Sequence, residues 1–498
     1  YVLKDTTAPS FVNGAAGGDL SWRNSSGTLH NVDAQDTGGS RLSVYQFSVT
    51  TGAARTGTMP VDWTPIASGL NASSYAADWA LPQAAWDLLP EGTNYVSVRA
   101  WDIAGTTGTL IDAFRIFKDT TPPSASSAQA GEFDWRGLNT GLYDADFTDS
   151  GGALLQKFQV RASTTPGAGP YSPDWTDNTL GLNAASYAAD WAFAAGVWDG
   201  LYDSATSYIS LRVFDNAGSS FTLTGAFRVL KDTTPAAITD NQAGDDNWRS
   251  AAGTLYNVDL ADNGSRVSSA AYASWTQAAK GGSQSLAWTQ LFASTGLLSY
   301  ITDWSADFNN AAQGFNYLTV RAWDKAGNLS ELVDAFYLKK DTAAPSMTDL
   351  QGGDTTWYRI NPGNVFNVDF ADSGIGLSSA AYEAWTGPGK NGNNVAASSQ
   401  IFSGAPAASY TADWGPTDNA FALLAAGTNY ISVAAWDALN QSSAAVDLFY
   451  ILKDTVPPSS VATLSAATPP AAADEGRLNV YWTAVGDNAL AGPASYYM

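Results

Sequence analysis

Apolar and polar side chains alternate along short stretches of this chain, and no convincing run recurs at helical spacing. Tyr256, Val258 and Leu260 are interleaved with Asn257 and Asp259, the period-two pattern of an antiparallel strand with one face on a core and one in water. Equivalent stretches stand at 30–34, 143–147 and 366–370. The clearest strand covers 94–102, Asn-Tyr-Val-Ser-Val-Arg-Ala-Trp-Asp, with echoes from Tyr208, Tyr317 and Tyr430. A turn, Asp-Lys-Ala-Gly-Asn at 324–328, reverses one of these into a closing strand at 335–338. Helical turns are expected only over 81–89 and its counterparts, where Trp86, Trp198, Phe308 and Phe421 share one slot.

These landmarks return in a fixed order. Lys-Asp-Thr recurs with its aspartate at Asp5, Asp119, Asp232, Asp341 and Asp454, 109 to 114 residues apart. Pro9, Pro122, Pro235, Pro345 and Pro457 follow, and proline fixes φ and gives short, stiff connectors. The expected organisation is therefore repeat 1 at 5–118, repeat 2 at 119–231, repeat 3 at 232–340 and repeat 4 at 341–453. Residues 1–4 read as the end of a preceding domain and 454–498 as the start of a truncated one. About seven short strands per repeat, with turn residues between them, argue a two-sheet sandwich.

The Asp-Thr-Thr-x-Pro linker, the Asp-x-Gly-Ser-x-Leu turn and the Val-Arg-Ala-Trp-Asp-x-Ala-Gly-Asn segment together resemble the immunoglobulin-like and fibronectin type III-like repeats of large bacterial surface proteins. The tail, with Val480-Tyr481-Trp482, is similar to an ordinary fibronectin type III domain. The resemblance implies an all-β fold, a tandem array of immunoglobulin-like or fibronectin type III-like antiparallel β-sandwiches, in an extracellular, cell-surface setting. Its turn is not uniform: repeat 2 has Asp215-Asn-Ala-Gly-Ser219 and repeat 4 has Asp437-Ala-Leu-Asn440.

Composition narrows the function. Among 498 residues, 24 Lys and Arg stand against 47 Asp and Glu, a net charge of -23, so the electrostatic footprint for nucleic acid is missing. No stretch is apolar for long enough to insert in a membrane. Cysteine is absent and His30 is the one histidine, which removes thiol nucleophiles, Cys/His zinc sites and nearly every serine-histidine triad. His30 aligns with Tyr143, Tyr256 and Phe366 as a strand residue. An active site is normally built once, whereas these polar motifs occur four times, so no enzyme is expected.

Two residue sets could carry chemistry. In a sandwich of this type the N-terminus, the turn after the second strand and the turn between the last two strands share one pole. That would gather Asp5, Asp33, Asp36 and Asp102 in repeat 1, and Asp119, Asp146, Asp149 and Asp215 in repeat 2. Asp232, Asp259, Asp262 and Asp324 would meet in repeat 3, and Asp341, Asp369, Asp372 and Asp437 in repeat 4. Crowded carboxylates repel unless neutralised, and calcium takes roughly six to eight oxygen ligands, so calcium between domains is one reading. Plain turn chemistry is the other, with Lys4, Lys118, Lys231, Lys340 and Lys453 next to each linker aspartate to screen it. Asp33 and its partners alternate outward on a strand and could point away from the pole.

Tryptophan is the second set, with 19 residues recurring at repeat landmarks. Regular recurrence suits packing between sheets, while exposed rings could stack on glycans; Trp63, Trp79, Trp175 and Trp191 are the candidates. The expected function is an extracellular structural element, a stalk, sheath or filament segment, with copies of itself or neighbouring surface proteins as partners. The alternative is an adhesin or carbohydrate-binding array attached to domains outside the fragment.

Overall fold

A computed structural model describes residues 1–15, 20–129, 131–242, 244–293, 296–351, 353, 355–458, 460, 464–467 and 479–482. In repeat 1 the strands are β1 (Ser10–Asn13), β2 (Trp22–Arg23), β3 (Val32–Gln35), β4 (Leu42–Thr50), β5 (Val61–Ala72), β6 (Ser74–Tyr75), β7 (Gly92–Asp102) and β8 (Thr107–Lys118). They form two sheets, β1-β3-β6 and β2-β8-β7-β4-β5. All pairings are antiparallel except β2 with β8, where Trp22 stands beside Phe117 and Arg23 beside Lys118 in parallel. The same pair of sheets recurs in the other three repeats, with one extra strand, Ala168–Tyr171, in repeat 2. The chain is thus all-β, a tandem array of immunoglobulin-like sandwiches.

The alternation explains the layers. Val96, Val98 and Ala100 of β7 are fully buried while Tyr95, Arg99 and Trp101 face outward. Across the gap lie Val32 and Ala34 of β3, closed over by Tyr45, Phe47 and Val49 of β4 and by Phe114 and Ile116 of β8. The expected helical turn is a six-residue helix, α1 (Gln83–Leu88), which buries Ala85 and Trp86. Its counterparts are Ala195–Gly200 and Asp418–Leu423, and in repeat 3 a turn carries the buried Phe308 in the same slot. His30 lies in this core, stacked on Phe114 with ring centroids 4.0 Å apart. Of the tail, 464–467 and 479–482 pair antiparallel; the side chain of Trp482, and Asp487, expected with Asp454 to continue the aspartate pattern into the tail, lie outside the described residues.

Four of the five lysines that precede a linker aspartate do not screen it; the fifth, Lys4, is exposed. Lys118, Lys231, Lys340 and Lys453 are buried and turn back into their own repeat. Lys118 Nζ donates to the carbonyls of Trp86 and Leu89 at 3.1 and 2.7 Å, and Lys453 Nζ to Phe421, Ala422 and Leu424 at 2.9, 3.1 and 2.7 Å. Each ammonium caps carbonyls left open where the short helix or turn ends. Lys231 does the same for Trp198, Asp199 and Leu201. Lys231→Met, which keeps the buried stem and strands the three carbonyls, should cost repeat 2 about 3 kcal/mol in a urea melt.

Candidate metal centre at the repeat junctions

Strand β8 ends at Lys118, and the Asp119 amide continues its ladder by donating to Arg23 O at 2.9 Å. The linker aspartate is therefore delivered at a fixed place, where one repeat ends and the next begins. Its carboxylate is then fastened to the following repeat: Asp119 Oδ1 accepts from Thr121 N at 3.0 Å and Oδ2 from Ala153 N at 2.8 Å. Ser40 N, Ser265 N and Ile375 N play the part of Ala153 N for Asp5, Asp232 and Asp341.

The loop that supplies these amides follows the strand equivalent to β3. Asp149 at its start accepts from Gly151 N and Leu154 N at 3.4 and 2.9 Å, and Asp36 accepts from Gly38 N and Arg41 N at 3.0 and 2.7 Å. Gly38, Gly151, Gly264 and Gly374 have no room for a side chain, because a Cβ there would overlap the linker carboxylate. The third aspartate ends the strand equivalent to β7: Asp102 Oδ1 accepts from Thr106 N at 2.7 Å and Asp215 Oδ1 from Ser219 N at 2.8 Å.

Three carboxylates meet at each pole. Asp5/Asp36/Asp102, Asp119/Asp149/Asp215, Asp232/Asp262/Asp324 and Asp341/Asp372/Asp437 each offer oxygens within 4.8 Å of one another. Eleven of these twelve residues are buried, and Asp5 is half-buried. Asp33, Asp146, Asp259 and Asp369 stay outside the clusters. Val32 and Ala34 take the inward positions of β3, which turns Asp33 to the other face, half-buried; strand alternation makes the same division in every repeat.

The donor set suits a hard cation, because every ligand atom is oxygen and neither imidazole nor thiolate is present. Among the described residues none of the twelve carboxylates forms an ion pair. Asp102 Oδ2, Asp215 Oδ2 and Asp372 Oδ1 are buried with no donor, a state that costs free energy unless something fills it. Burial, and then the charges of Asp119 and Asp149, push Asp215 up to about 6. Burial also raises Asp119 and, with Asp232 and Asp262 adding to it, Asp324. Asp5 goes the other way, held down by the Thr7 amide.

The tryptophans at three of the repeat landmarks lie in different surroundings. Trp79 and Trp191, expected on the surface, are core residues with 5% and 4% exposure. The Trp79 backbone bridges to His30 and carries its ring between the sheets. Trp63 and Trp175 are half-buried on the outer face, against guanidinium groups: Arg55 and Arg99 at 4.4 and 4.3 Å, Arg161 and Arg212 at 4.5 and 4.4 Å. Trp288 packs likewise on Arg321 at 4.0 Å, and where register places Ser398 for the tryptophan in repeat 4, Ala434 replaces the arginine. Ring and cation come and go together, which marks a stacked pair. Trp175→Ala should cost repeat 2 about 1–2 kcal/mol and leave migration in polysaccharide-containing gels unchanged; slower migration of the parent alone would restore the glycan reading. The third group, Trp22, Trp135, Trp248 and Trp357, sits on the parallel strand pair, and Trp22 reaches across to Gly152 of repeat 2.

Sequence reasoning did not single out the four glycines, although a glycine two residues after each loop aspartate is a signal that could have found them. Nor did it place the buried lysines, whose direction is set by tertiary packing.

No protein-family model matches the chain, and no curated protein does. Among solved structures the chain is similar to a tetra-tandem repeat from the extending region of a large adhesion protein, at 14% identity over 89% of this chain and 99% of that one, TM-score 0.30. It is also similar to a Ca2+-stabilized adhesin that helps an Antarctic bacterium bind ice, at 14% identity over 91% and 100%, TM-score 0.31. Fibronectin(III)-like modules of CbhA from Clostridium thermocellum match 44% of this chain and 94% of theirs at 15% identity, TM-score 0.16. The fold assignment stands on the strand order and registers of the chain itself, not on these distant likenesses.

Proposed function

We propose that this chain is a segment of an extracellular stalk, sheath or filament whose junctions are stiffened by calcium. What carries the reading is one arrangement repeated four times: three aspartates brought together where a linker enters a sandwich, with no cationic partner among the described residues. Asp119, Asp149 and Asp215 come from the linker, a loop and a turn, so an ion held by all three ties the linker to the body of repeat 2. Calcium supplies the positive charge these oxygens lack; the chain's own residues supply position. Modules of this kind fill at roughly 0.1–1 mM calcium, a level found outside cells, which supports reading the chain as extracellular. Repetition of one sandwich on short proline-bearing connectors gives reach and stiffness, and the net charge of -23 discourages collapse of neighbouring strings. Copies of itself or neighbouring surface proteins are the partners this role calls for. The adhesin or carbohydrate-array alternative has less behind it, since the outer tryptophans already lie against arginines.

Small-angle scattering of the chain in millimolar calcium and in chelator tests the role. A longer maximum dimension and a rod-like profile in calcium are expected. Identical profiles in both would remove calcium stiffening.

A further inference from the structure

The four aspartate clusters are built alike, yet their last turn residue differs: Thr106, Ser219, Asn328 and Gln441. In repeat 3, Asn328 Nδ2 donates to Asp324 Oδ2 at 2.7 Å and to the carbonyl of the linker residue Asp232 at 2.8 Å. Repeat 4 does the same with a longer amide, Gln441 Nε2 reaching Asp437 Oδ2 and Asp341 O at 3.0 and 2.9 Å. The short hydroxyl residues of repeats 1 and 2 do not make this bridge, and there the corresponding oxygens, Asp102 Oδ2 and Asp215 Oδ2, are the buried atoms without a donor.

Repeat 3 is the extreme case. Besides the two Asp324 oxygens, Asp262 takes Gly264 N and Ser265 Oγ, and Asp232 takes Thr234 N, Ser204 Oγ and Ser265 N. All six carboxylate oxygens of that cluster have a protein donor, whereas repeat 4 still leaves Asp372 Oδ1 without one.

The preceding repeat is shaped to match. The residue after Trp-Arg is Asn24 in repeat 1 and Gly137 in repeat 2. Asn24 Nδ2 donates to the small Ser219 at 3.3 Å. A Cβ on Gly137 would stand 2.6 Å from Asn328 Oδ1, so the large turn residue faces the smallest possible neighbour. Large meets small at one junction and small meets large at the next, the compensation expected of two surfaces in contact.

We infer that Asn328 is a built-in latch that holds the junction between repeats 2 and 3 without a cation, while the junction between repeats 1 and 2 closes only when one is bound. The inference rests on the calcium reading and refines it: an amide donor fills at one junction the place that a cation fills at the other. Dependence on the ion is therefore graded along the string.

The chain has no cysteine, so pairs of spin labels can be placed cleanly on the full chain. Thr109→Cys with Thr222→Cys spans repeats 1 and 2, and Thr222→Cys with Gln290→Cys spans repeats 2 and 3; all three positions are exposed. In chelator the first pair should give a broad distance distribution that calcium narrows, and the second a narrow one in both conditions. Asn328→Ser, which installs the residue repeat 2 already carries, should make the second pair calcium-responsive. Asn24→Gly with Ser219→Asn should narrow the first pair in chelator. Equal broadening of both pairs on chelation, or no effect of Asn328→Ser, would overturn the latch. A first pair that ignores calcium would instead sink the calcium reading on which it rests.

Discussion

Gly151→Ala should cost repeat 2 about 3–5 kcal/mol and abolish its response to calcium, although the change adds a single methyl group. The position has no left-handed φ to strain; the cost is steric. A Cβ there occupies the space of the Asp119 carboxylate, which must then leave the amides of Thr121 and Ala153. Two charge-assisted hydrogen bonds at roughly 1.5–3 kcal/mol each set the magnitude. Gly196→Ala is the matched control, since nothing lies within 4 Å of a Cβ on that helical glycine; it should stabilise by about 0.5–1 kcal/mol. A urea melt of each variant with and without calcium reads both. Equal, small effects for the two would show that the linker carboxylate is not fixed where it lies.

Asp215→Asn should change sign with the solvent. In chelator near neutral pH, Asp215 is charged although its folded environment favours the proton: its pKa is about 6 against 3.8 unfolded. A pKa raised by folding contributes stability that is complete below the unfolded value and lost as pH rises through the folded one. The cation-free parent should therefore gain stability on going from about pH 7 to pH 5, and Asp215→Asn should flatten that slope. The asparagine also removes a buried charge, so in chelator at neutral pH it should be more stable by on the order of 2–3 kcal/mol. In calcium the order reverses. The parent gains about 2.7 kcal/mol at a hundredfold excess over Kd, and the variant, short of one anionic ligand, loses most of it. A variant less stable than the parent in both solvents would contradict the idea that the cluster is strained for want of a cation.

Much of the fold was legible because alternation maps directly onto a face. Tyr256, Val258 and Leu260 read as inward, and they are buried beside the half-buried Asn257 and Asp259. The pole that gathers the aspartates was legible from sandwich topology alone. Direction at the end of an element was not. Lys231 and Asp232 are neighbours in sequence, yet one turns into repeat 2 to cap its helix and the other enters the cluster of repeat 3. Asp33 and Asp36 lie three residues apart, and only the one beyond the strand joins the site. Trp79 and Trp63 share an Asp-Trp motif, but one ring fills a core and the other stacks on arginine. In each case the deciding partner is far away in sequence. The non-uniform turn has no explanation within one repeat for the same reason, since Ser219 and Asn328 each meet a residue of the preceding repeat, Asn24 and Gly137.

The most direct test of cation sites at the junctions is scanning calorimetry of the whole chain at neutral pH, in millimolar calcium and in chelator. An ion bound only by the folded form must raise the midpoint, and for sandwiches of this size the rise should be about 10 °C. Coincident transitions in the two solvents would mean that the buried aspartates are turn-formers and nothing more.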